Sequence, residues 1–214
     1  MQKLSTFVIG LIGLLAIPVL AADTEYLKVQ DDQVATTNAF INSVLALHKR
    51  TIAEHQTRSV EETGGYRGYP DFYREVRYYD RETGQLLSKV QWERANPERL
   101  HAIEVYVYDD NGRLVRDFSG WFLPNGRNAP RDTWITLHAY NNGLHALRQF
   151  DALDNRIFEK CEGEYAGKEV SISLWELDIA VGEDKKDGVM KSSLYRKCFA
   201  GLPMASAGRY LTPQ

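Results

Sequence analysis

Cysteine is scarce: the chain of 214 residues has two, and no Cys-x-x-Cys, which excludes a thioredoxin-like redox site and covalent haem attachment. There is no excess of basic charge either, with 26 Lys and Arg against 29 Asp and Glu and a formal charge of −3, so nothing favours nucleic acid as a partner. Gly-x-Ser-x-Gly, His-Glu-x-x-His, the P-loop and the dinucleotide fingerprint are all missing, so no cofactor and no catalytic metal are expected. Beyond the first residues no apolar stretch is long enough to span a bilayer, which needs about 20 residues.

What is present begins with targeting chemistry. Lys3 precedes an almost unbroken apolar run from Phe7 to Leu20, and small residues follow at Ala21 and Ala22. These are the parts of a secretory signal peptide, with Val19 and Ala21 at the small-residue positions and a cut expected after Ala21. Residues 1–21 are therefore expected to be removed and residues 22–214 to form a single mature domain, periplasmic or secreted. In an oxidising compartment the lone pair Cys161 and Cys198 is most simply a disulfide.

The fold class expected is α+β, mainly β. After a short extended lead over 22–30, Val34, Ile41, Leu45 and Ile52 recur at helical spacing, which predicts an amphipathic helix over about 31–56. From Phe72 to Phe199 short β-rich runs alternate with turns such as Asp109-Asp110-Asn111-Gly112 and Asn141-Asn142-Gly143. Asn-Gly between alternating runs signals a hairpin, because both turn positions tolerate positive φ. The reading is a curled antiparallel sheet of eight to ten strands over about 72–199, with the helix packed on it and a tail over 200–214. The runs 170–179 and 189–199 are counted as strands, flanking a charged turn at 182–188.

Three segments share a pattern: Tyr79-Asp80 with Gly84-Gln85-Leu86, Tyr108-Asp109 with Gly112-Arg113-Leu114, and Phe150-Asp151 with Asn155-Arg156-Ile157. Residues 79–86, 108–114 and 150–157 in this way resemble the hairpin unit of YD-repeat (Rhs-type) proteins. The resemblance implies a local strand–turn–strand element with the Asp capping the turn. The units begin at irregular intervals, so that family's encapsulating shell is not implied.

Candidate sites are few. Tyr66, Arg67, Tyr69, Tyr73 and Arg74 form a stretch dense in rings and guanidinium groups, suited to stacking on sugars or gripping a partner chain. His138 and His145 flank the Asn142-Gly143 turn; if Asn141 pairs with Leu144, Tyr140 faces His145 and the two histidines are diagonal neighbours on one face. His48 and His55 share a helix face and read as interface histidines rather than metal ligands, since the usual ligating pair is four apart. A polar loop over 124–131 is a further candidate contact.

These features point to an exported binding or accessory protein, non-enzymatic, contacting a protein or glycan of the cell envelope through a tyrosine-rich surface. Two alternatives stand beside it: a small exported hydrolase of cell-wall or sugar substrates working through paired carboxylates, and a structural component of an envelope assembly whose sheet edge pairs with another chain.

Overall fold

The computed structural model describes residues 24–124, 129–184 and 188–214. The expected signal peptide and the centre of the 124–131 loop lie outside these residues, as does part of the 182–188 turn.

No glycine or proline interrupts the sequence from Thr24 to Glu54, and the whole span is one helix, α1 (Thr24–Glu54). Residues 24–30 thus belong to the helix and not to an extended lead. Nine strands follow: β1 (Thr57–Tyr66), β2 (Tyr69–Asp80), β3 (Leu86–Glu93), β4 (Leu100–Tyr108), β5 (Leu114–Trp121), β6 (Asp132–Asn141), β7 (Leu144–Phe150), β8 (Arg156–Tyr165) and β9 (Lys168–Trp175). They pair strictly in chain order, every neighbour antiparallel, in one sheet that does not close. The sheet therefore starts at Thr57, not near residue 72. The tyrosine-rich stretch is the β1–β2 hairpin itself, with Tyr66 paired to Tyr69.

The turns between strands use side-chain chemistry written in the sequence. Asp80 accepts backbone N–H bonds from Glu82 and Thr83, both at 2.8 Å. Asp109 accepts from Asn111 at 3.0 Å and Arg113 at 2.9 Å, and Asp151 from Leu153 at 2.9 Å and Asn155 at 2.8 Å. In each case a carboxylate satisfies donors that the tight bend would otherwise leave unpaired. Asn142 and Gly143 have φ of 49° and 85°, the left-handed pair that a two-residue hairpin demands.

The expected strand over 189–199 is not one, and β9 stops at Trp175. The chain turns into α2 (Glu176–Asp184), then a 3-10 turn (Val189–Lys191) and α3 (Ser193–Cys198). Asp178 reaches back to accept the Trp175 N–H at 3.0 Å, half of a capping box. Ser192 caps α3 by accepting from the Tyr195 N–H at 3.0 Å. Tyr195, Cys198 and Phe199 are all buried, and their spacing of three and four residues is helical, not alternating.

All the helices lie on one face of the sheet. α1 sets Phe40, Ile41, Val44 and Leu47 against Val90, Ile103, Val105, Phe118 and Ile135 of β3 to β6. Gly120 marks how closely the helix sits, because a Cβ there would meet the Ile41 Cδ1 at 2.0 Å. On β7 to β9, Ala146, Cys161, Val170 and Ile172 are covered instead by Ile179, Met190, Tyr195 and Phe199. Cys161 and Cys198 are joined across 37 residues, tying α3 to β8. Among the described residues no helix is long and apolar enough to cross a membrane.

Candidate functional site

Period-two alternation sends every second side chain to the opposite face, over which no described helix lies. Register places Tyr73, Glu75, Arg77, Lys89, Gln91, Glu104, Tyr106, Asp117, Ser119, Trp121, Trp134, Thr136, His138, Tyr140, His145, Phe158 and Trp175 there. Its carboxylates have partners: Glu75 pairs with Arg77 and Glu104 with Lys89, both at 2.6 Å, and Asp117 is hydrogen-bonded to His138 at 2.8 Å.

Between these pairs stand three groups of rings on a diagonal across the sheet. Trp121 and Trp134 meet edge-on with centroids 4.5 Å apart, and Phe158 and Trp175 lie 4.4 Å apart. Trp175 is 63% exposed. At the β1–β2 end, Tyr66, Phe72 and Tyr73 surround His101, whose ring stacks on Tyr73 at 5.7 Å and accepts or donates a short bond with the Tyr66 hydroxyl. Gly64 lies opposite Tyr73 in register, and a Cβ there would meet the Tyr73 ring at 2.6 Å, so the ring leans over bare backbone. His101 is the extra residue where the β3–β4 register shifts, so the irregularity breaks its alternation and turns it toward this box. Burial lowers its pKa, opposed by the nearby Glu93. The Tyr66 hydroxyl is pushed up, first by burial and then by Tyr73.

The expected tyrosine and arginine group is therefore only partly gathered. Tyr66 and Tyr73 share the box, and Tyr69 stands at its rim, 64% exposed, with its ring 6.5 Å from Phe72. Arg67 occupies the turn. Arg74 points to the helical side of β2, where it bonds Glu61 at 3.1 Å, because alternation separates it from Tyr73.

At the other end of the strands Asn141 pairs with Leu144, Tyr140 with His145 and His138 with Leu147. His138 Nδ1 lies 3.0 Å from His145 Nε2, and its Nε2 lies 2.8 Å from Asp117. Tyr140 stacks on His145 at 4.6 Å, and the Arg113 guanidinium sits 5.3 Å from the Tyr140 ring. Burial, then His138, lowers the His145 pKa. An open cleft of about 560 Å³ adjoins His145, bounded by Arg113, Asn142 and Glu162. Asp117, His138 and His145 thus form one continuous hydrogen-bonded line. No described group of three or more His, Cys, Asp or Glu is placed to hold a metal.

His48 on α1 and His55, one residue past its end, both reach the sheet. His48 Nδ1 is 2.9 Å from the Ser88 hydroxyl, and His55 Nδ1 is 2.7 Å from Asp80.

Sequence reasoning missed the Trp121–Trp134 and Phe158–Trp175 pairs, together with Asp117 and His101. Parity along each strand was a signal for the first two pairs, but it becomes useful only once the covered face is known. His101 had no signal, because its place depends on a register irregularity.

No family model matches the chain, and no curated protein matches it. Two solved structures are similar. One is a DUF3836 family protein from Bacteroides vulgatus, at 11% identity and a TM-score of 0.27, covering 47% of this chain and 95% of that one. The other is a DUF3836 family protein from Parabacteroides distasonis, at 11% identity and a TM-score of 0.22, covering 57% of this chain and 94% of that one.

Proposed function

We propose that this is an exported, non-enzymatic binding or accessory protein that contacts a glycan or protein of the cell envelope through the ring-bearing face of its sheet. The observation that carries the reading is the diagonal of half-exposed rings, from Tyr69 and Tyr73 through Trp121 and Trp134 to Phe158 and Trp175, on the face that no described helix covers. Exposed rings on an otherwise polar surface mark contact sites more often than chance placement. Rings spaced across strands about 4.8 Å apart suit an extended chain of sugar rings, since each offers a flat apolar body between polar groups. In this reading the sheet is curled, with the N-terminal helix as its cover, the leader of residues 1–21 delivers the chain to the periplasm or beyond, and the hairpins resembling YD-repeat units contribute local turns only.

The hydrolase alternative is less favoured, because Glu75 and Glu104 are held in ion pairs with Arg77 and Lys89, and Asp117 is hydrogen-bonded to His138, rather than left free to act as acid and base. The test is a glycan array probed with the purified protein, followed by titration of any hit against tryptophan fluorescence. Binding that weakens at least tenfold in Trp175→Ala and Tyr69→Ala supports the reading. A silent array, together with a pull-down from envelope extract that is the same for both variants and the parent, rejects it.

A further inference from the structure

A second site lies on the helical side of the sheet, away from the ring-bearing face. Between β5, β6 and the C-terminal segment is a cleft of about 600 Å³, floored by Phe118, Leu137 and Leu202 and edged by Arg116, Arg209 and Tyr210. That volume is in the range of small-molecule sites, which are apolar with a few placed polar groups.

The edge of the cleft carries two cations beside one ring. The Arg116 guanidinium lies 5.4 Å from the Tyr210 ring centroid and that of Arg209 lies 4.8 Å from the same centroid. Arg209 also donates to the Tyr210 hydroxyl at 2.6 Å. Neither arginine forms an ion pair with a carboxylate among the described residues. Most arginines elsewhere differ: Arg148 has Glu159, Arg77 has Glu75, Arg99 has Glu93 and Arg113 has Asp109. Two cations held over one ring repel each other, and the ring quadrupole offsets only part of that repulsion. An anion entering the cleft would meet both, and a guanidinium presents two parallel N–H donors matched to a carboxylate.

We propose that this cleft binds an amphipathic organic anion, with its carboxylate at the edge that carries Arg116 and Arg209 and its apolar body along Phe118, Leu137 and Leu202. The site shares none of the rings of the surface reading above, although His138 also lines it.

The experiment is calorimetric titration of the purified protein with decanoate, with decanol and acetate as the uncharged and tailless controls. Saturable one-to-one binding of decanoate is expected, with decanol at least tenfold weaker and acetate without saturation. Arg116→Gln and Arg209→Gln should each weaken decanoate at least tenfold, and Arg116→Lys should weaken it less than Arg116→Gln. Arg209 is exposed, so Arg209→Gln decides the matter if Arg116→Gln does not fold. Equal binding of decanol, acetate bound as tightly as decanoate, decanoate binding indifferent to Arg209→Gln, or no saturable binding would each overturn the proposal.

Discussion

Arg148 on β7 and Glu159 on β8 face each other with neither side chain exposed, Nε donating to Oε1 at 2.5 Å. The Arg148 guanidinium also donates to the Pro203 carbonyl at 2.6 Å and the Tyr195 hydroxyl at 3.0 Å, while Tyr195 donates to Glu159 at 2.6 Å. This closed network sits on the helical face where the α1 core meets the α3 core, with Leu137 and Phe150 on one side and Ala146 and Cys161 on the other. Burial, then Glu159, drives the Tyr195 pKa upward, which keeps its hydroxyl a donor across the ordinary pH range.

Removing Arg148 leaves the buried Glu159 with the Tyr195 hydroxyl and the more distant Arg156, whose Nε lies 3.5 Å from Oε1. Arg148→Met is expected to lower stability by about 3–5 kcal/mol, read as a shift of the urea midpoint. The double variant Arg148→Met with Glu159→Leu should recover part of that loss but not all, because the Pro203 carbonyl loses its donor and Arg156 loses the Glu159 carboxylate. If the double variant is no more stable than Arg148→Met alone, the pair is not the source of the effect.

The disulfide joins two fully buried sulfurs, one on a strand and one at the end of its covering helix. Closing a loop of 37 residues restricts the unfolded chain and corresponds to about 4 kcal/mol in the chain-entropy model. Replacing Cys161 and Cys198 together by alanine should lower the urea midpoint accordingly and loosen 189–199 first, seen as faster amide exchange there. An unchanged midpoint would mean the bond contributes nothing to folding stability.

Acid should destabilise the protein in two separate ranges. His48, His101 and His145 all have pKa values lowered chiefly by burial, so the folded state holds them neutral. The unfolded chain binds protons near the ordinary 6.5, so their contribution is complete above that pH and is lost as pH falls below it. Asp80 is held down to about 2, first by the Thr83 N–H and then by His55, so its contribution disappears only near that much lower pH. The thermal midpoint should therefore be flat from pH 8 to 7 and already lower at pH 5. His48→Gln should flatten that slope; a midpoint that rises on going from pH 7 to 5 would contradict the assignment.

The antiparallel, mainly β architecture and the cysteine pairing were legible in the residues themselves. Alternation in Ile103, Val105 and Val107 and turn chemistry at Asp80, Asp109 and Asn142-Gly143 act over a few residues, so they can be read without knowing the fold. From the Asn142-Gly143 turn alone, the pairing of Tyr140 with His145 followed, because a two-residue hairpin leaves one register. The segment 189–199 was misread because Tyr195, Cys198 and Phe199 show their helical spacing only when Ser192 is recognised as a cap.

Other features belong to the tertiary structure. Which face of the sheet is covered decides that Trp121, Trp134 and Trp175 are surface rings, and alternation alone leaves the two faces equivalent. The burial of Arg148 with Glu159, the box around His101, and the meeting of Arg116 with Arg209 over Tyr210 join residues 11 to about 90 positions apart. Local propensity is blind to such meetings, because they depend on the summed register of several strands and on where the C-terminal segment comes to rest.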